Sequence, residues 1–142
     1  KMAERGIPVV QLNTDGACHI EAMSIKNILP QFDLDHLDII IIENIGNLVC
    51  PAEFDIGESL KVALLSIPEG DDKVEKYPLM FTRADALVLT KYDLINYFEF
   101  NEERVEKNAL IRNDELKLFK VNSKNEDDIK EFKNWLISKI EE

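Results

Sequence analysis

The sequence predicts an α/β protein with a mostly parallel sheet that helices cover on both faces. Short apolar runs alternate with amphipathic segments, and no hairpin turn signals separate the runs. One run, residues 39–42, consists of four isoleucines, a composition typical of a strand buried on both faces. Because ligands of such sheets bind where strands end, polar residues that follow apolar runs are the candidate functional residues.

Periodicity and turn residues divide the first half of the chain. Residues 2–6 are typical of the last turn of a helix that a glycine ends, and we therefore expect a further strand and helix upstream. After them we expect a strand, a helix that Pro30 ends, the isoleucine strand, and a long loop with at most a short helical turn. In chain order these elements are residues 7–13, 20–29, 37–43 and 44–58.

The second half continues the alternation and ends in a helix. We expect, in chain order, a strand, a charged loop, a short helix, a strand, an exposed helix, a strand and a final helix: residues 61–67, 68–77, 78–84, 86–90, 101–110, 116–122 and 126–140. In the final helix, an inner stripe is predicted at Ile129, Phe132, Leu136 and Ile140. A capping box is expected to start this helix, from Ser123 to Glu126.

Composition limits the class of protein. The chain has 142 residues, enough for one domain (1–142), and its 45% hydrophobic and 32% charged content is ordinary for a globular protein. The net charge of −11 disfavours a nucleic-acid partner. No apolar run approaches the roughly 20 residues of a membrane span, and no signal peptide is visible. These features favour a cytoplasmic protein whose two cysteines are reduced, although a single disulfide is the alternative.

A polar motif follows the strand predicted at residues 86–90. Thr90-Lys91-Tyr92-Asp93 resembles the Asn-Lys-x-Asp motif with which GTPases recognise guanine. The Asp93 carboxylate would accept hydrogen bonds from guanine N1–H and N2–H₂, and adenine offers no such pair of donors. The Lys91 stem would pack along the base. The alternative is a polar turn at the end of a strand.

A second motif, Glu43-Asn44-Ile45-Gly46, follows the isoleucine run and occupies the place of the Asp-x-x-Gly element of GTPases. Glu43 would support Mg²⁺ through a water, and the Gly46 N–H would approach the γ-phosphate. A simple turn is the alternative. Ser123-Lys124 similarly resembles the Ser-Ala-Lys element that contacts guanine O6, although the helix cap also explains it.

Soft-metal ligands occur in two of the predicted loops. Both cysteines of the chain, Cys18 and Cys50, and one histidine, His19, form a set suited to Zn²⁺ or Ni²⁺. Because Cys18 and His19 are adjacent, we expect them to contact two ions or to act across a two-fold axis rather than to share one ion. The alternatives are a buried cysteine and a core histidine. His36 is expected at the surface.

The charged loop at residues 68–77 offers two cations. Lys73 or Lys76 could reach a phosphate if the chain dimerises over a nucleotide. A solvated turn is the alternative for Glu-Gly-Asp-Asp-Lys at residues 69–73.

Three runs together carry a family resemblance. Gly-Ala-Cys-His-Ile-Glu-Ala at 16–22, Ile-Glu-Asn-Ile-Gly-Asn-Leu-Val-Cys-Pro-Ala-Glu-Phe-Asp at 42–55, and the residues at 69–73 with Lys-Tyr-Pro at 76–78 resemble the HypB family of accessory GTPases. The resemblance implies a three-layer, P-loop NTPase-like G domain of the SIMIBI class, which dimerises with GTP. It also implies a Zn²⁺ or Ni²⁺ site at the dimer interface, from Cys18, His19 and Cys50 of both subunits.

The resemblance further implies a role in nickel insertion into [NiFe]-hydrogenase. The expected partners are a HypA-like nickel-binding protein and the hydrogenase large-subunit precursor. Two departures stand out: Thr90 replaces the family's Asn, and no Gly-x-x-x-x-Gly-Lys-Ser/Thr occurs, since none of the five glycines precedes a lysine. We expect the phosphate-binding loop upstream of residue 1, and this fragment alone to be inactive. The rival hypotheses are a non-catalytic metal-binding or storage module and a urease-type accessory GTPase.

Overall fold

A computed structural model describes residues 2–141 of the chain. The chain divides into two compact units, Lys1–Glu58 and Ser59–Glu142, called here the first and second unit. The second unit contains the sheet, and the first unit contains the two cysteines and the glutamate–glycine motif.

The second unit is built on a parallel sheet. Among the described residues the sheet has three strands in the order β1-β2-β3. They span Val62–Ser66, Ala86–Thr90 and Lys117–Val121. Both pairs are parallel, and the register aligns Ser66 with Thr90 and Thr90 with Val121. The predicted α/β class, the parallel sheet and these three strands are confirmed.

Strand β2 lies at the centre of this sheet. Its first four residues are all buried, and only Thr90 is partly exposed. Because successive side chains of a strand point to opposite faces, this pattern means that both faces of β2 are covered. Strand β1 instead alternates, with Ala63 and Leu65 buried while Leu64 is 60% exposed.

Four α-helices lie in the described part of the second unit: α3 at Lys73–Lys76, α4 at Pro78–Arg83, α5 at Glu102–Arg112 and α6 at Glu126–Ile140. Short 3-10 helices span Ile67–Glu69 and Tyr92–Tyr97. The expectation of an entirely irregular loop at 68–77 is therefore wrong, because one helical turn, α3, ends it. The predicted helices at 78–84, 101–110 and 126–140 are confirmed.

The start of α6 differs from the predicted capping box. Asn125 is the N-cap, and its side chain accepts a hydrogen bond from the Asp127 N–H at 3.1 Å. Ser123 lies two residues earlier, in the turn, too far upstream to accept from the first helical N–H groups. Asn101 caps α5 in the same way, by accepting from the Arg104 N–H at 2.9 Å.

An aromatic cluster joins α6 to the sheet. Phe119 of β3 lies 5.3 Å from the Phe132 ring and 5.4 Å from the Trp135 ring, measured between centroids. Phe132 and Trp135 pack on buried Ala86 and Val88 as well. The predicted inner stripe is therefore partly wrong: Ile129 and Ile140 are 42% and 45% exposed, because the larger rings make the contact.

The first unit has helices but no strand among its described residues. Its elements are α1 at Ala22–Ile28, α2 at Cys50–Glu53, and 3-10 helices at Ala3–Arg5, Leu29–Gln31 and Leu34–His36. Both α-helices agree with the sequence, which predicted a helix at 20–29 and a short turn within 44–58. No helix in the described part of the chain is long and apolar enough to cross a membrane.

The strands predicted at 7–13 and 37–43 are wrong for this structure, since neither segment forms a strand. The isoleucine run is exposed rather than buried, by 43% at Ile39, 39% at Ile40 and 79% at Ile41. A strand needs a neighbouring strand to hydrogen-bond its backbone. The described residues of the first unit offer no such neighbour, so apolar composition alone does not produce a strand there.

Candidate functional site

The first unit contains the three soft-metal candidates on two linked loops. Cys18 Sγ lies 3.7 Å from His19 Nδ1. The Cys18 side chain also raises the pKa of the Cys50 thiol, although the two residues lie on different loops. The His19 ring stacks on Phe54 with a centroid separation of 3.7 Å and an interplanar angle of 5°. Both cysteines are free thiols, Cys18 exposed and Cys50 partly exposed.

The chemistry of this set fits a soft divalent ion. With Zn–S and Zn–N bonds of about 2.3 and 2.0 Å, two donors of a tetrahedral site lie about 3.5 Å apart. The separation between Cys18 Sγ and His19 Nδ1 is close to that value, so adjacency in sequence does not prevent them from sharing one ion. Among residues 2–141, however, no three His, Cys, Asp or Glu side chains are grouped as a complete metal site. Further ligands would have to come from elsewhere.

The hydrogen bond with Cys18 is the largest of the effects that raise the pKa of the Cys50 thiol. Burial and the negative charges of a Cys18 thiolate and of Glu53 act in the same direction. Cys50 is therefore protonated at neutral pH in this structure. A metal that binds here must displace that proton, as thiol ligation generally requires.

Two asparagine side chains hold the loops of this site together. Asn47 Nδ2 donates to the Cys18 carbonyl at 2.8 Å, and Asn47 Oδ1 accepts from the Cys50 N–H at 2.9 Å. Asn44 Oδ1 accepts from the Ile20 N–H at 3.2 Å. The segment that carries Cys18 is thus tied at two points to the segment that ends in Cys50.

The glutamate and glycine of the second motif lie on this same segment. Glu43 and Gly46 are both exposed, and Gly46 lies four residues before Cys50. A Cβ added at Gly46 would meet no atom within 4 Å, so the fold itself does not require glycine there. Glu43 does not end a strand, contrary to expectation, because the isoleucine run forms none. Their roles with Mg²⁺ and phosphate stay predictions.

The second unit brings the guanine candidates to one edge of its sheet. Thr90 is the last residue of β2, and Lys91 and Asp93 follow it with exposed side chains. Ser123 and Lys124, also exposed, follow the neighbouring strand β3. Since Thr90 pairs with Val121, both loops leave the carboxyl edge of the sheet side by side. Guanine recognition by these residues stays a prediction.

The loop after β2 has an unusual backbone and its own support. Lys91 adopts φ 54° and ψ 40°, the left-handed region that few residues other than glycine occupy. Next to it, the Tyr92 hydroxyl donates to Glu102 of α5 at 2.5 Å. Lys120 of β3 ion-pairs with Glu102, and its Nζ lies 5.7 Å from the Tyr92 ring centroid. Two elements, α5 and β3, therefore support the loop that presents Lys91 and Asp93.

The two lysines proposed to reach phosphate already have a partner. Lys73 Nζ lies 2.8 Å from Asp72 Oδ1, and Lys76 ion-pairs with the other carboxylate oxygen. Hydrogen bonds from Lys73 and Lys76 lower the pKa of Asp72 to about 2, and the same contact raises the pKa of Lys76. A phosphate would have to compete with Asp72 for these cations.

Sequence reasoning missed four residues that organise the candidate sites: Asn44, Asn47, Asp72 and Tyr92. Asn44 and Asn47 lie inside the motif that carried the family resemblance, yet a side chain that bridges two loops leaves no periodic signal. Asp72 was visible as the residue before Lys73 and four residues before Lys76, a spacing that favours an ion pair in a helix.

A parallel sheet with polar loops at its carboxyl edge is the arrangement in which open α/β proteins bind their ligands, nucleotides among them. Comparison with known proteins identifies the family. Residues 1–120 match the family model described as CobW/HypB/UreG, nucleotide-binding domain, and the chain belongs to this family.

Relatives of known name agree with this family. The chain is 38% identical over 146 residues to the hydrogenase/urease maturation factor HypB of Helicobacter pylori, which covers 100% of this chain and 60% of the relative. It is 42% identical over 131 residues to the hydrogenase maturation factor HypB of Escherichia coli, which covers 92% of this chain and 45% of the relative. The chain thus spans less than two thirds of the length of these relatives.

Solved structures show the same fold. The crystal structure of HypB from Helicobacter pylori in complex with nickel superposes with a TM-score of 0.93 at 38% identity, over 99% of this chain and 67% of that chain. HypB from Archaeoglobus fulgidus gives a TM-score of 0.82 at 34% identity, over 89% of this chain and 67% of that chain.

Proposed function

We propose that this chain is part of a GTP-binding, GTP-hydrolysing metallochaperone that assists nickel insertion during [NiFe]-hydrogenase maturation. One observation carries the proposal: within a member of this nucleotide-binding family, the Asn47 side chain joins the loop of Cys18 and His19 to the segment that ends in Cys50. A thiol pair beside an imidazole suits nickel or zinc. The relatives named as hydrogenase maturation factors, and the one solved with nickel, support the same assignment.

The nucleotide part of the proposal rests on the carboxyl edge of the sheet. Asp93 reads guanine N1–H and N2–H₂, Lys91 packs along the base, and Thr90 takes the place of the usual Asn. Ser123 and Lys124, on the adjacent loop, contact the guanine oxygen. Support comes from the register that places both loops at one edge, and from the Tyr92–Glu102 hydrogen bond behind them.

The phosphate part rests on the loop that ends in Cys50. Glu43 supports Mg²⁺, whose charge would stabilise the phosphoryl group that is transferred to water, and Gly46 senses the γ-phosphate. Lys73 and Lys76 reach a phosphate once Asp72 releases them. The phosphate-binding loop itself is absent from these 142 residues. We therefore expect no measurable GTP turnover by this chain alone.

Metal handling involves a second subunit. Two thiols and one imidazole of one chain would leave a tetrahedral ion one ligand short, and the described residues form no cluster of three or more His, Cys, Asp or Glu side chains. A GTP-dependent homodimer would supply the remaining ligands as a second copy of Cys18, His19 and Cys50. The partners are a HypA-like nickel-binding protein and the hydrogenase large-subunit precursor, in the cytoplasm.

The test uses the full polypeptide and its thermal midpoint. We expect GTP with Mg²⁺ to raise the midpoint more than ATP with Mg²⁺ does, and Ni²⁺ or Zn²⁺ to raise it further. The chain offers a matched pair of histidines. His19→Ala should lower Ni²⁺ affinity, whereas His36→Ala should not, because His36 is exposed and pairs with Asp33 at 3.0 Å.

Two other outcomes distinguish the rival functions. Stabilisation by metal with no response to nucleotide would favour a non-catalytic metal-binding or storage module. Equal transfer of nickel to a urease precursor would favour a urease-type accessory GTPase, an alternative supported by the Helicobacter pylori relative, whose name includes both hydrogenase and urease maturation. No effect of GTP, Ni²⁺ or Zn²⁺ on the full polypeptide would contradict the proposal.

A further inference from the structure

The Asn47 side chain uses both of its polar atoms to join the two cysteine-bearing loops. Its Nδ2 donates to the Cys18 carbonyl at 2.8 Å, across 29 positions of the sequence. Its Oδ1 accepts from the Val49 and Cys50 N–H groups at 3.0 and 2.9 Å. Cys50 is the first residue of α2, so the same amide oxygen also holds the start of that helix. One side chain therefore contacts the main chain of both cysteines.

These bonds act directly on the backbone that carries each thiol. A cysteine side chain is short, with one rotatable bond between Cα and sulfur, so the positions of the two Cα atoms largely set how closely the sulfurs approach. The Cys18 side chain is near enough to Cys50 to raise the pKa of the Cys50 thiol. A further bond between the two segments runs from the Ile20 N–H to Asn44 Oδ1, at 3.2 Å, and it contacts the main chain of neither cysteine.

We infer that Asn47 is the positioning residue that sets the distance between the Cys18 and Cys50 thiols, and thereby the affinity of this site for a soft divalent ion. The metal part of this inference rests on the proposed function. The geometric part does not, because it concerns the thiols of the metal-free protein. Residues that orient ligands without touching the metal typically change metal affinity by about 10- to 100-fold when they are replaced.

The chemistry of the asparagine amide makes the inference specific. An amide has both a donor and an acceptor, and each is used here. Asn47→Asp retains an oxygen that accepts from Val49 and Cys50, but loses the N–H that donates to Cys18. In its place, a carboxylate oxygen would face a carbonyl oxygen and repel it. This substitution therefore releases the Cys18 loop while leaving the start of α2 held.

The experiment compares Asn47→Asp with Asn27→Asp in the full polypeptide. Asn27 is an exposed residue of α1 in the same unit and takes part in none of the bonds described between the loops. Its variant therefore adds the same charge without breaking a bond between the loops. The first measurement is binding of phenylarsine oxide to the metal-free protein, since this reagent needs two thiols in close proximity. The Cys18→Ser variant gives the background. The second is a Ni²⁺ titration followed by the thiolate-to-nickel charge-transfer absorption.

We expect Asn47→Asp to weaken phenylarsine oxide and Ni²⁺ binding by about 10- to 100-fold, and Asn27→Asp to match the wild type. Arsenical binding by Asn47→Asp equal to that of the wild type would overturn the inference. If the wild type binds arsenical but no Ni²⁺ or Zn²⁺, and Asn47→Asp loses arsenical binding, the proposed function fails while the positioning role is supported. Should Asn47→Asp not fold, Asn47→Ser serves instead, because serine also accepts at helix starts.

Discussion

At the scale of single residues, the proposed contact of Asp93 with guanine is the part of the nucleotide site that a single substitution tests most directly. Its carboxylate is exposed at the carboxyl edge of the sheet, two residues after the left-handed Lys91. A carboxylate only accepts hydrogen bonds at neutral pH, and guanine presents two adjacent donors on its Watson–Crick edge. Xanthine presents a carbonyl where guanine has its amino group. At this position xanthine therefore needs a hydrogen-bond donor, whereas guanine needs an acceptor.

We therefore predict that Asp93→Asn reverses base selectivity. Hydrogen bonds to a charged group contribute about 1.5–3 kcal/mol each, so weakening two of them lowers GTP affinity by about 100-fold or more. The asparagine N–H can instead donate to the xanthine carbonyl, and affinity for xanthosine triphosphate should rise. Competition against a fluorescent nucleotide, with the full polypeptide, measures both. Unchanged GTP affinity would mean that Asp93 does not contact the base.

The thiol pair offers a second prediction at this scale. Cys50→Ser replaces the proposed thiolate ligand with a hydroxyl that soft metals bind poorly. Ni²⁺ affinity in the full polypeptide should fall by at least about tenfold. GTP affinity in the absence of metal should stay within about twofold, because serine is nearly isosteric and Cys50 is only partly buried. A parallel loss of metal-free GTP affinity would instead indicate a general disturbance of the loop.

At the scale of elements, the helix starts are set by asparagines. Asn125 caps α6 and also donates from Nδ2 to Asp128 at 2.8 Å, while Asn122 lies one turn upstream and donates its N–H to the same aspartate. Three acidic residues occupy the first turn of α6, where they complement the helix dipole. The turn between β3 and α6 is therefore fixed by side-chain hydrogen bonds rather than by apolar packing.

This arrangement predicts a difference between two neighbouring substitutions. Asn125→Ala should reduce the free energy of unfolding by about 1 kcal/mol, the usual cost of removing an N-cap. Ser123→Ala should change it by less than about 0.5 kcal/mol, the range for exposed positions outside such features. Urea unfolding, followed by circular dichroism, measures both. Equal losses would restore the capping box that the sequence first suggested.

The sequence predicted the elements of the second unit well and those of the first unit poorly. Residues 86–89 and 39–42 are both continuous apolar runs, yet the first is a buried strand and the second is exposed and irregular. Composition is the same signal in both cases; the difference is a hydrogen-bonded neighbour on each side of β2. Pairing is a property of tertiary structure, so no pattern within either run could have separated them.

The candidate metal site shows the same limit, because contacts between loops are not visible in the sequence. Residue type alone suggests Cys18, His19 and Cys50 as metal ligands, because few side chains bind soft metals, and this role stays a prediction. The amides that bring them together were not identified, because Asn44 and Asn47 resemble ordinary loop residues until their partners are known. Likewise, Lys73 and Lys76 were recognised as cations, but only the structure gives their shared partner, Asp72.

At the scale of the whole molecule, cations are distributed among a large excess of carboxylates. The chain carries a net charge of −11, and the ion pairs of the second unit hold several of its few cations. Arg104 pairs with Glu75 and Asp71, and the Arg104 contact lowers the pKa of Glu75. Together with Asp72, whose pKa is about 2, these carboxylates make the stability of the fold depend on pH in acid.

We predict that this linkage appears as a loss of stability in acid. A carboxyl whose folded pKa lies below its unfolded value stabilises the fold above the unfolded pKa, 3.8 for Asp72, and that contribution disappears as pH falls towards the folded pKa of about 2. The thermal midpoint should therefore fall between about pH 5 and pH 2. Asp72→Asn should fall less steeply over the same range, with little difference from wild type at the acidic end.

An unchanged slope in Asp72→Asn would show that Lys73 and Lys76 do not hold this carboxylate in solution. Arg104→Gln is the matched variant for Glu75, because it removes the cation and keeps an uncharged side chain that can donate hydrogen bonds. The acid slope of Arg104→Gln should also flatten. Additivity of the two variants is expected, apart from their shared proximity to Asp71 and Asp72.

Strand β1 bonds to β2 on one side, and among the described strands nothing bonds to its other side. Its row of N–H and C=O groups there is a template onto which another extended chain can add, and the exposed Leu64 supplies an apolar surface beside it. Purified by itself, this polypeptide should aggregate, with turbidity and sedimenting material that increase with concentration. Co-expression with an extended segment that pairs with the free edge of β1 should reduce this aggregation.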